Sequence, residues 1–381
     1  MAANPPKLRI PELDGLRGFA IFVVLAFHYI AQEGTLTPGT TAARLQRFVI
    51  MGWTGVDLFF VLSGFLIGGI LMDARSSPSY FKTFYARRFF RIIPVYYLWV
   101  AGYVALVAVA GGVLTRLSNS GVRPPLDLGI LSHFLFLQNF VPITLFGLAG
   151  AWFGHLWSLA VEEQFYLVAP VVVRFTSERL LKWLLLLVIA GEPFLRIFLL
   201  RVLHVPEWAV VVLVLCRADA LAMGMLAAAL TCGDSPSFLV VGNLGKLYAM
   251  LATLSAGVLV LWLWAPQAQT LGMQSFGYTW MAGFYAVILL LAVGHQDGWV
   301  ARCFRIRWLR ELGIVSYCVY IIHIVVNVVL HALLLRKSPR ISTGKGALVT
   351  VFAVFVTYGV AKISWILLEA PMQRRGHAFK Y

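Results

Sequence analysis

Long apolar runs, each broken by only a few polar positions, recur along almost the whole of this 381-residue chain. A run of about 20 apolar residues crosses the hydrocarbon core of a bilayer as one helix. The pattern therefore predicts an all-α, polytopic membrane helix bundle with about ten transmembrane helices. The predicted spans are 16–32, 54–73, 91–114, 156–175, 181–202, 209–231, 246–265, 276–294, 313–335 and 346–368.

An additional apolar stretch, 128–149, is interpreted from the positions of the basic residues, because short cytoplasmic loops collect Lys and Arg. If this stretch is a transmembrane span, two basic clusters lie outside the cell. If it is a re-entrant segment, both clusters and both chain termini lie in the cytoplasm. One basic loop, 336–345, then lies outside against the rule. The two clusters are Arg174, Arg179 and Lys182, and Arg302, Arg305, Arg307 and Arg310.

Composition agrees with this class, since 60% of the residues are hydrophobic and 12% are charged. Residues 1–30 could be taken for a signal peptide, but His28 interrupts the apolar core and no clear cleavage pattern follows. No linker or repeat divides the chain, so we expect one integral membrane domain over 1–381, with its motifs within about 10–368. Multi-pass insertion in the cytoplasmic membrane is the expected localisation.

The net charge of +15 is spread over loop ends. Orientation and anionic lipid headgroups explain such charges, so membrane lipids rather than nucleic acid are the expected partners. The cysteines lack the spacing of a disulfide framework or a zinc site, and no metal is expected. They are Cys216, Cys232, Cys303 and Cys318.

Arg17 and His28 stand eleven residues apart inside the first apolar run. On a helix this spacing returns to nearly the same face about 16 Å further along. Ionisable groups within lipid are costly, so the pair is a functional hypothesis by default. Asp14, three residues before Arg17, is placed to pair with it.

Further polar side chains lie within predicted spans: Asp57, Ser63, the adjacent Glu162 and Glu163, and the stripe Ser316, Tyr320 and His323. Each could be a structural group that bonds its own backbone or a neighbouring helix. Together they favour a polar cavity inside the bundle. Since adjacent helical residues point about 100° apart, only one of the two glutamates is expected to face it, and Glu163 is our choice.

Three arginines, Arg87, Arg88 and Arg91, lie at the start of the third span, close on one helix face. They could simply anchor the helix at the cytoplasmic surface. They could also bind phosphates bidentately. A histidine that takes a proton from a hydroxyl, a carboxylate that orients the histidine and a band of arginines would together suit a phosphate-bearing acyl donor.

Five motifs in order resemble the acyltransferase 3 family of integral membrane O-acyltransferases. They are the segment from Pro11 through Arg17 to His28, Gly55–Ile67, Phe84–Pro94, Trp157–Tyr166 and Ser316–His323. The resemblance implies transfer of an acyl group, usually acetyl from acetyl-CoA, to hydroxyls of sugars, glycans, lipid-linked glycans or secreted small molecules. Acyl-CoA would be a co-substrate, and no permanently bound cofactor is expected.

By the same resemblance, Arg17 and His28 would be the essential pair, Arg87, Arg88 and Arg91 the arginine motif, and Glu162 and Glu163 the paired acidic motif. His28 would act as base towards the acceptor hydroxyl or as a transient acyl carrier. Arg17 would stabilise the donor. Many relatives carry an appended hydrolase-like domain, which this sequence lacks after the bundle, so the acceptor is expected to enter the bundle itself.

The rival function is a transporter or flippase of a lipid-linked sugar or polar lipid, in which the same groups would bind substrate or relay protons. A membrane scaffold is a third class, which the polar groups within the spans disfavour. The acceptor stays open. Trp152, Phe153 and Trp157 could stack on a sugar, or could belong to an interfacial aromatic belt.

Overall fold

The computed structural model describes residues 10–31, 39–117, 128–141, 147–231 and 243–381. Every regular element in these ranges is helical. The α-helices are α1 (Pro11–Ala26), α2 (Thr41–Val49), α3 (Gly55–Asp73), α4 (Tyr80–Leu117), α5 (Leu128–Phe134), α6 (Gly147–Phe153), α7 (Trp157–Phe175), α8 (Glu178–Arg201), α9 (Glu207–Val212), α10 (Ala218–Thr231), α11 (Leu244–Trp264), α12 (Tyr278–Gly294), α13 (Trp299–Phe304), α14 (Arg307–Ile314), α15 (Ser316–Leu335), α16 (Gly344–Ser364) and α17 (Ala370–His377).

Within the described ranges, nine helical stretches are long and apolar enough to cross a membrane. The predicted all-α membrane bundle is therefore confirmed. The stretches are Pro11–Ala31, Thr41–Asp73, Tyr80–Val109, Gly150–Phe175, Glu178–Arg201, Leu244–Trp264, Met273–Gly294, Ser316–Leu335 and Gly344–His377.

The predicted span 209–231 differs from the structure. It is divided into α9, a 3-10 turn at Val214–Cys216, and α10, which has only 14 residues. A helix of that length is shorter than the roughly 20 residues that a bilayer crossing needs. Two charged residues, Arg217 and Asp219, lie at this break. The prediction of a continuous span relied on the length of the apolar run and did not take them into account.

The stretch 128–149 contains the seven-residue helices α5 and α6, joined partly by turns. Residues 142–146 lie outside the described residues. In the part that is described, the stretch holds no helix long enough to span, which agrees with leaving it out of the count. Its re-entrant path stays a prediction.

At two helix contacts, a glycine allows the backbones of the two helices to lie directly against each other. A Cβ on Gly18 of α1 would lie 1.8 Å from the Leu309 carbonyl oxygen of α14, and one on Gly64 of α3 would lie 2.0 Å from the Leu221 carbonyl oxygen of α10. No side chain fits at such distances. These contacts hold α1 and α3 against their neighbours in the core of the bundle, where the polar side chains converge.

Candidate active site

The first polar cluster contains three imidazoles from three helical segments. α1 continues into a π-helical turn, Phe27–Ala31, which carries His28. The His28 Nδ1 atom lies 3.1 Å from Nε2 of His323 on α15. The His155 ring, just before α7, is centred 5.1 Å from the His323 ring. We call His28, His155 and His323 the histidine cluster.

Carbonyl contacts assign the protons within this cluster when the rings are neutral. Nδ1 of His323 lies 2.7 Å from the Tyr320 carbonyl oxygen, and Nδ1 of His28 lies 3.0 Å from the Val24 carbonyl oxygen. A carbonyl oxygen only accepts, so both Nδ1 atoms carry hydrogen. Nε2 of His323 is then an acceptor towards His28, and Nε2 of His28 keeps its lone pair for another partner.

The expected carboxylate partner of His28 is not what the structure shows. The hydrogen-bond partners of its Nδ1 among the described residues are the Val24 carbonyl and His323. A neutral imidazole thus occupies the position where a triad would place a carboxylate. His323 orients the ring, which is only partly buried.

A cavity lined by α1, α3, α4, α7 and α15 holds about 830 Å³ of empty space, its open mouth included. We call it the central cavity. Its polar lining residues are Arg17, Ser63, Arg88, Arg91, Ser158, Glu162, Glu163, Tyr166, Ser316 and Tyr320. Most of the predicted site residues therefore converge on one space.

Both predicted glutamates line the central cavity, so the expectation that only one would face it is wrong. Glu162 accepts a hydrogen bond from Ser63 Oγ at 2.8 Å and from the Tyr166 hydroxyl at 3.3 Å. Ser63 and Tyr166 are themselves 2.9 Å apart, so Glu162 belongs to a closed hydrogen-bonded group.

His28 and Asp57 do not line the central cavity among the described residues. His28 is connected to the cavity wall through His323 instead. Nδ1 of His323 contacts the carbonyl oxygen of Tyr320, which lines the cavity, and Nε2 of His323 contacts His28 Nδ1. The Tyr320 hydroxyl donates to the His155 carbonyl at 2.7 Å and lies 2.6 Å from Ser158 Oγ.

The structure separates the remaining predicted residues by their partners. Arg17 Nη1 lies 3.4 Å from Asp14 Oδ1, as the three-residue spacing predicted. Ser316 donates to the Gly313 carbonyl at 2.8 Å while it lines the cavity. Asp57 instead forms a buried ion pair with Arg217.

Arg87, Arg88 and Arg91 line a second cavity, with an empty volume of about 580 Å³, which we call the arginine cavity. Arg88 and Arg91 also line the central cavity, so they form the boundary between the two. Among the described residues that line the arginine cavity, none is acidic. Arg88 Nε is buried and has no hydrogen-bond partner in the described part of the chain.

Sequence reasoning missed a buried ion-pair network on α3, α8 and α10. Arg196 Nη1 lies 3.0 Å from both Glu192 and Asp219. Arg217 joins Asp57 and lies 3.8 Å over the Tyr278 ring. The signal was available, because Glu192 and Arg196 stand four residues apart inside an apolar run. We call Asp57, Glu192, Arg196, Arg217 and Asp219 the ion-pair network.

The aromatic residues considered for sugar stacking pack against protein. The Trp152 ring stacks on Trp99 with centroids 4.2 Å apart, and Phe153 lies edge-on to Tyr103. Trp157 packs beside Phe60. These contacts favour a structural role for the three residues.

No group of three or more His, Cys, Asp or Glu residues that could hold a metal ion occurs in the described ranges. The described cysteines, Cys216, Cys303 and Cys318, are free thiols. Cys232 lies outside the described residues.

A family model described as an acyltransferase domain matches residues 10–365. The chain belongs to this acyltransferase family, as its five motifs predicted. With nine helical stretches that could cross a membrane in its described part, it is a multi-pass membrane protein.

The chain is 28% identical to the peptidoglycan O-acetyltransferase OatA of Listeria monocytogenes, over 96% of this chain and 56% of that protein. It is 27% identical to a putative peptidoglycan O-acetyltransferase, YrhL, of Bacillus subtilis, over 96% of this chain and 55% of that protein. A putative O-acetyltransferase of Staphylococcus aureus strain COL is 25% identical over 97% and 58% of the two chains. The chain thus spans little more than half the length of these curated relatives. No solved structure shows a significant match.

Proposed function

We propose that this protein is a membrane O-acetyltransferase that moves an acetyl group from acetyl-CoA to a hydroxyl of a cell-envelope glycan. The observation that carries the proposal is the pair of adjoining cavities that share Arg88 and Arg91. The names of the relatives support peptidoglycan as the first acceptor to test.

The charges of the two cavities suit the two ends of an acyl-CoA donor. Phosphates fit the arginine cavity, where guanidinium groups offer paired hydrogen bonds. They are disfavoured in the central cavity by the carboxylates of Glu162 and Glu163. The uncharged pantetheine arm fits the central cavity, whose walls include Ser63, Ser158 and Tyr320, and would carry the thioester towards His28.

His28 is proposed as the base. Its Nε2 takes the proton of the acceptor hydroxyl while that oxygen attacks the thioester carbonyl carbon. The carbon–sulfur bond then breaks, and the thiolate leaves and receives the proton from the imidazolium. His323, 3.1 Å from His28 Nδ1, fixes the tautomer that this step requires.

The two substrates are proposed to approach from opposite ends of α1. Arg17 lies in the first half of the helix and lines the central cavity, whereas His28 follows the helix end and is partly exposed without lining that cavity. A donor would arrive from the arginine side, which we place in the cytoplasm. The acceptor would reach His28 from the other side.

Transfer of labelled acetyl by purified protein in lipid nanodiscs tests the proposal. Acetyl-CoA labelled in the acetyl group is supplied with purified peptidoglycan, with envelope lipid extracts or with no acceptor. We expect an alkali-labile label on the glycan, absent with His28→Ala. No transfer to any acceptor, with intact protein in the nanodisc, would contradict the proposal and favour the transporter alternative.

The acceptor is identified separately by mass spectrometry of envelope glycans from cells with and without the protein. An added mass of one acetyl group on a sugar that depends on the protein, and disappears with His28→Ala, names the acceptor. A glycan profile identical in all three strains would exclude the glycans measured.

A further inference from the structure

The segment that contains α17 and ends at Tyr381 is fastened along the first turns of α4. Arg87 Nε and Nη2 donate to the Phe379 carbonyl at 3.0 and 2.7 Å. Ser79 and Thr83 hydroxyls both donate to the Lys380 carbonyl at 2.8 Å. Two successive carbonyls are therefore held by three side chains of the α4 region.

This attachment gives the arginine cavity a second wall. Gln373, His377 and Tyr381 line the cavity opposite the arginines of α4. Gln373 and His377 stand four residues apart on α17 and so share one face of it, and Tyr381 follows four residues after the helix ends. The guanidinium of Arg87 lies 4.9 Å over the Tyr381 ring, so the two walls also touch each other.

The second wall adds hydrogen-bond donors to a space that already collects positive charge. An amide NH₂, an imidazole N–H and a phenol O–H can all donate to phosphate oxygens. Arg88, which lines both cavities, has a buried Nε without a hydrogen-bond partner among the described residues. No described lining residue of this cavity is acidic, whereas two glutamates line the adjoining central cavity.

We propose that Gln373, His377 and Tyr381 form part of the donor's phosphate site, so that this site is composite, built from α4 and the α17 segment. The inference rests on the proposed function, because it takes coenzyme A as the phosphate-bearing ligand. The α4 arginines supply charge, and the α17 segment supplies directed hydrogen bonds.

Binding of coenzyme A to purified protein in nanodiscs, measured by calorimetric titration, tests the composite site. We expect Gln373→Ala and His377→Ala each to weaken binding roughly three- to ten-fold, the scale of a lost hydrogen bond. Arg374→Ala and Arg375→Ala are the matched controls, because both residues are exposed on the same helix and neither lines the cavity. They remove a full positive charge and should leave binding unchanged.

The outcomes separate this inference from the proposed function. If the unaltered protein does not bind coenzyme A, both fall. If it binds and Arg88→Ala weakens binding, while Gln373→Ala and His377→Ala match the unaltered protein, only the composite site is overturned. Equal losses in Arg374→Ala and His377→Ala would also overturn it, since overall charge would then explain the effect.

A labelling experiment keeps the inference testable if the alanine variants misfold. In a protein whose exposed Cys303 is replaced by Ser, Gln373→Cys should react with a maleimide more slowly when acetyl-CoA is present, and S-acetylpantetheine, which lacks the phosphates, should give no protection. Neither thioester has a free thiol that would consume the maleimide. Arg374→Cys in the same background is the matched control and should label at one rate throughout. Reaction of Gln373→Cys at an unchanged rate under saturating acetyl-CoA would overturn the proposal.

Discussion

The ion-pair network and the arginine cavity both contain arginines inside one membrane bundle, and the surroundings of those arginines are opposite. In the network, Arg196 and Arg217 are bonded to carboxylates, and all of these side chains are at most 5% exposed. In the arginine cavity, three arginines face an open space without an acidic lining residue among those described.

On the proposed function, this difference separates charges that hold helices together from charges that bind a ligand. In a buried ion pair the two charges neutralise each other, so the pair does not attract an incoming anion. If one partner is removed, the other is left as an unpaired buried charge. Cations gathered around a cavity attract an anion and cost stability until it arrives. A charged side chain within the membrane is therefore not by itself a sign of a binding site. The distinguishing feature is whether an oppositely charged side chain already pairs with it.

The largest expected effect is a loss of folding stability when the ion-pair network is disrupted. Arg196→Ala leaves Glu192 and Asp219 buried without their shared cation, which should cost about 3–5 kcal/mol of folding free energy. Thermal unfolding of purified protein in detergent measures it. Arg201→Ala, an exposed position at the end of the same helix, is the control and should unfold like the unaltered protein. Similar unfolding temperatures for both variants would show that the network is not structural.

The next effect concerns chemistry without folding. His28→Ala should lower the rate of acetyl transfer by about 10²–10⁴, because a positioned general base contributes on that scale. Its unfolding temperature should stay close to that of the unaltered protein, in contrast to Arg196→Ala. A variant that keeps more than about a tenth of the rate would contradict general-base catalysis by this residue.

Substitutions of the arginines that line the arginine cavity should change the affinity for acetyl-CoA. Arg88→Ala or Arg91→Ala should raise the apparent KM for acetyl-CoA roughly ten- to a hundred-fold, the worth of one charge-assisted hydrogen bond. kcat should change little in comparison with His28→Ala. Lys should recover only part of the loss, because a point charge cannot form the paired contact.

Lys82→Ala is the matched control, since Lys82 is exposed on the same helix and lines neither cavity among the described residues. An unchanged KM in both arginine variants, with correct insertion, would leave these arginines as surface anchors. The arginine cavity would then not be a binding site, and the functional difference between it and the ion-pair network would not hold.

The smallest effect compares the adjacent glutamates. Glu162→Gln weakens the hydrogen bonds from Ser63 and Tyr166, so we expect roughly a ten-fold lower kcat. Glu163→Gln should change kcat less, because no hydrogen bond from a described residue depends on its charge in the same way. Initial rates at saturating acetyl-CoA measure both. A larger loss at Glu163 would reverse the assignment and restore the choice made from the sequence.

Much of the site follows from spacing within single helices. The i, i+3 pair of Asp14 and Arg17, the stripe from Ser316 through Tyr320 to His323, and the arginines at one face of α4 could all be predicted, because 3.6 residues per turn fixes which side chains share a face. The helical class followed from apolar run length alone.

Contacts between distant helices could not be predicted in this way. Nothing in the position of His155 indicates that its ring meets His323, and the four-residue spacing of Gln373, His377 and Tyr381 does not say which helix they face. The break before α10 was missed because apolar run length ignores the charged pair within it. The role of Asp57 was misjudged because its partner, Arg217, lies 160 residues further along the chain, in the turn before α10.

The glycine contact between α1 and α14 has a consequence for the rigidity of the site. Because a Cβ on Gly18 would lie 1.8 Å from the Leu309 carbonyl oxygen, the two backbones are in direct contact, and α1 cannot slide or roll past α14 without separating from it. Arg17 and His28 belong to the same helical stretch, Pro11–Ala31. On the proposed function, the two substrates would therefore meet groups held at a constant separation rather than groups that shift to fit each acceptor.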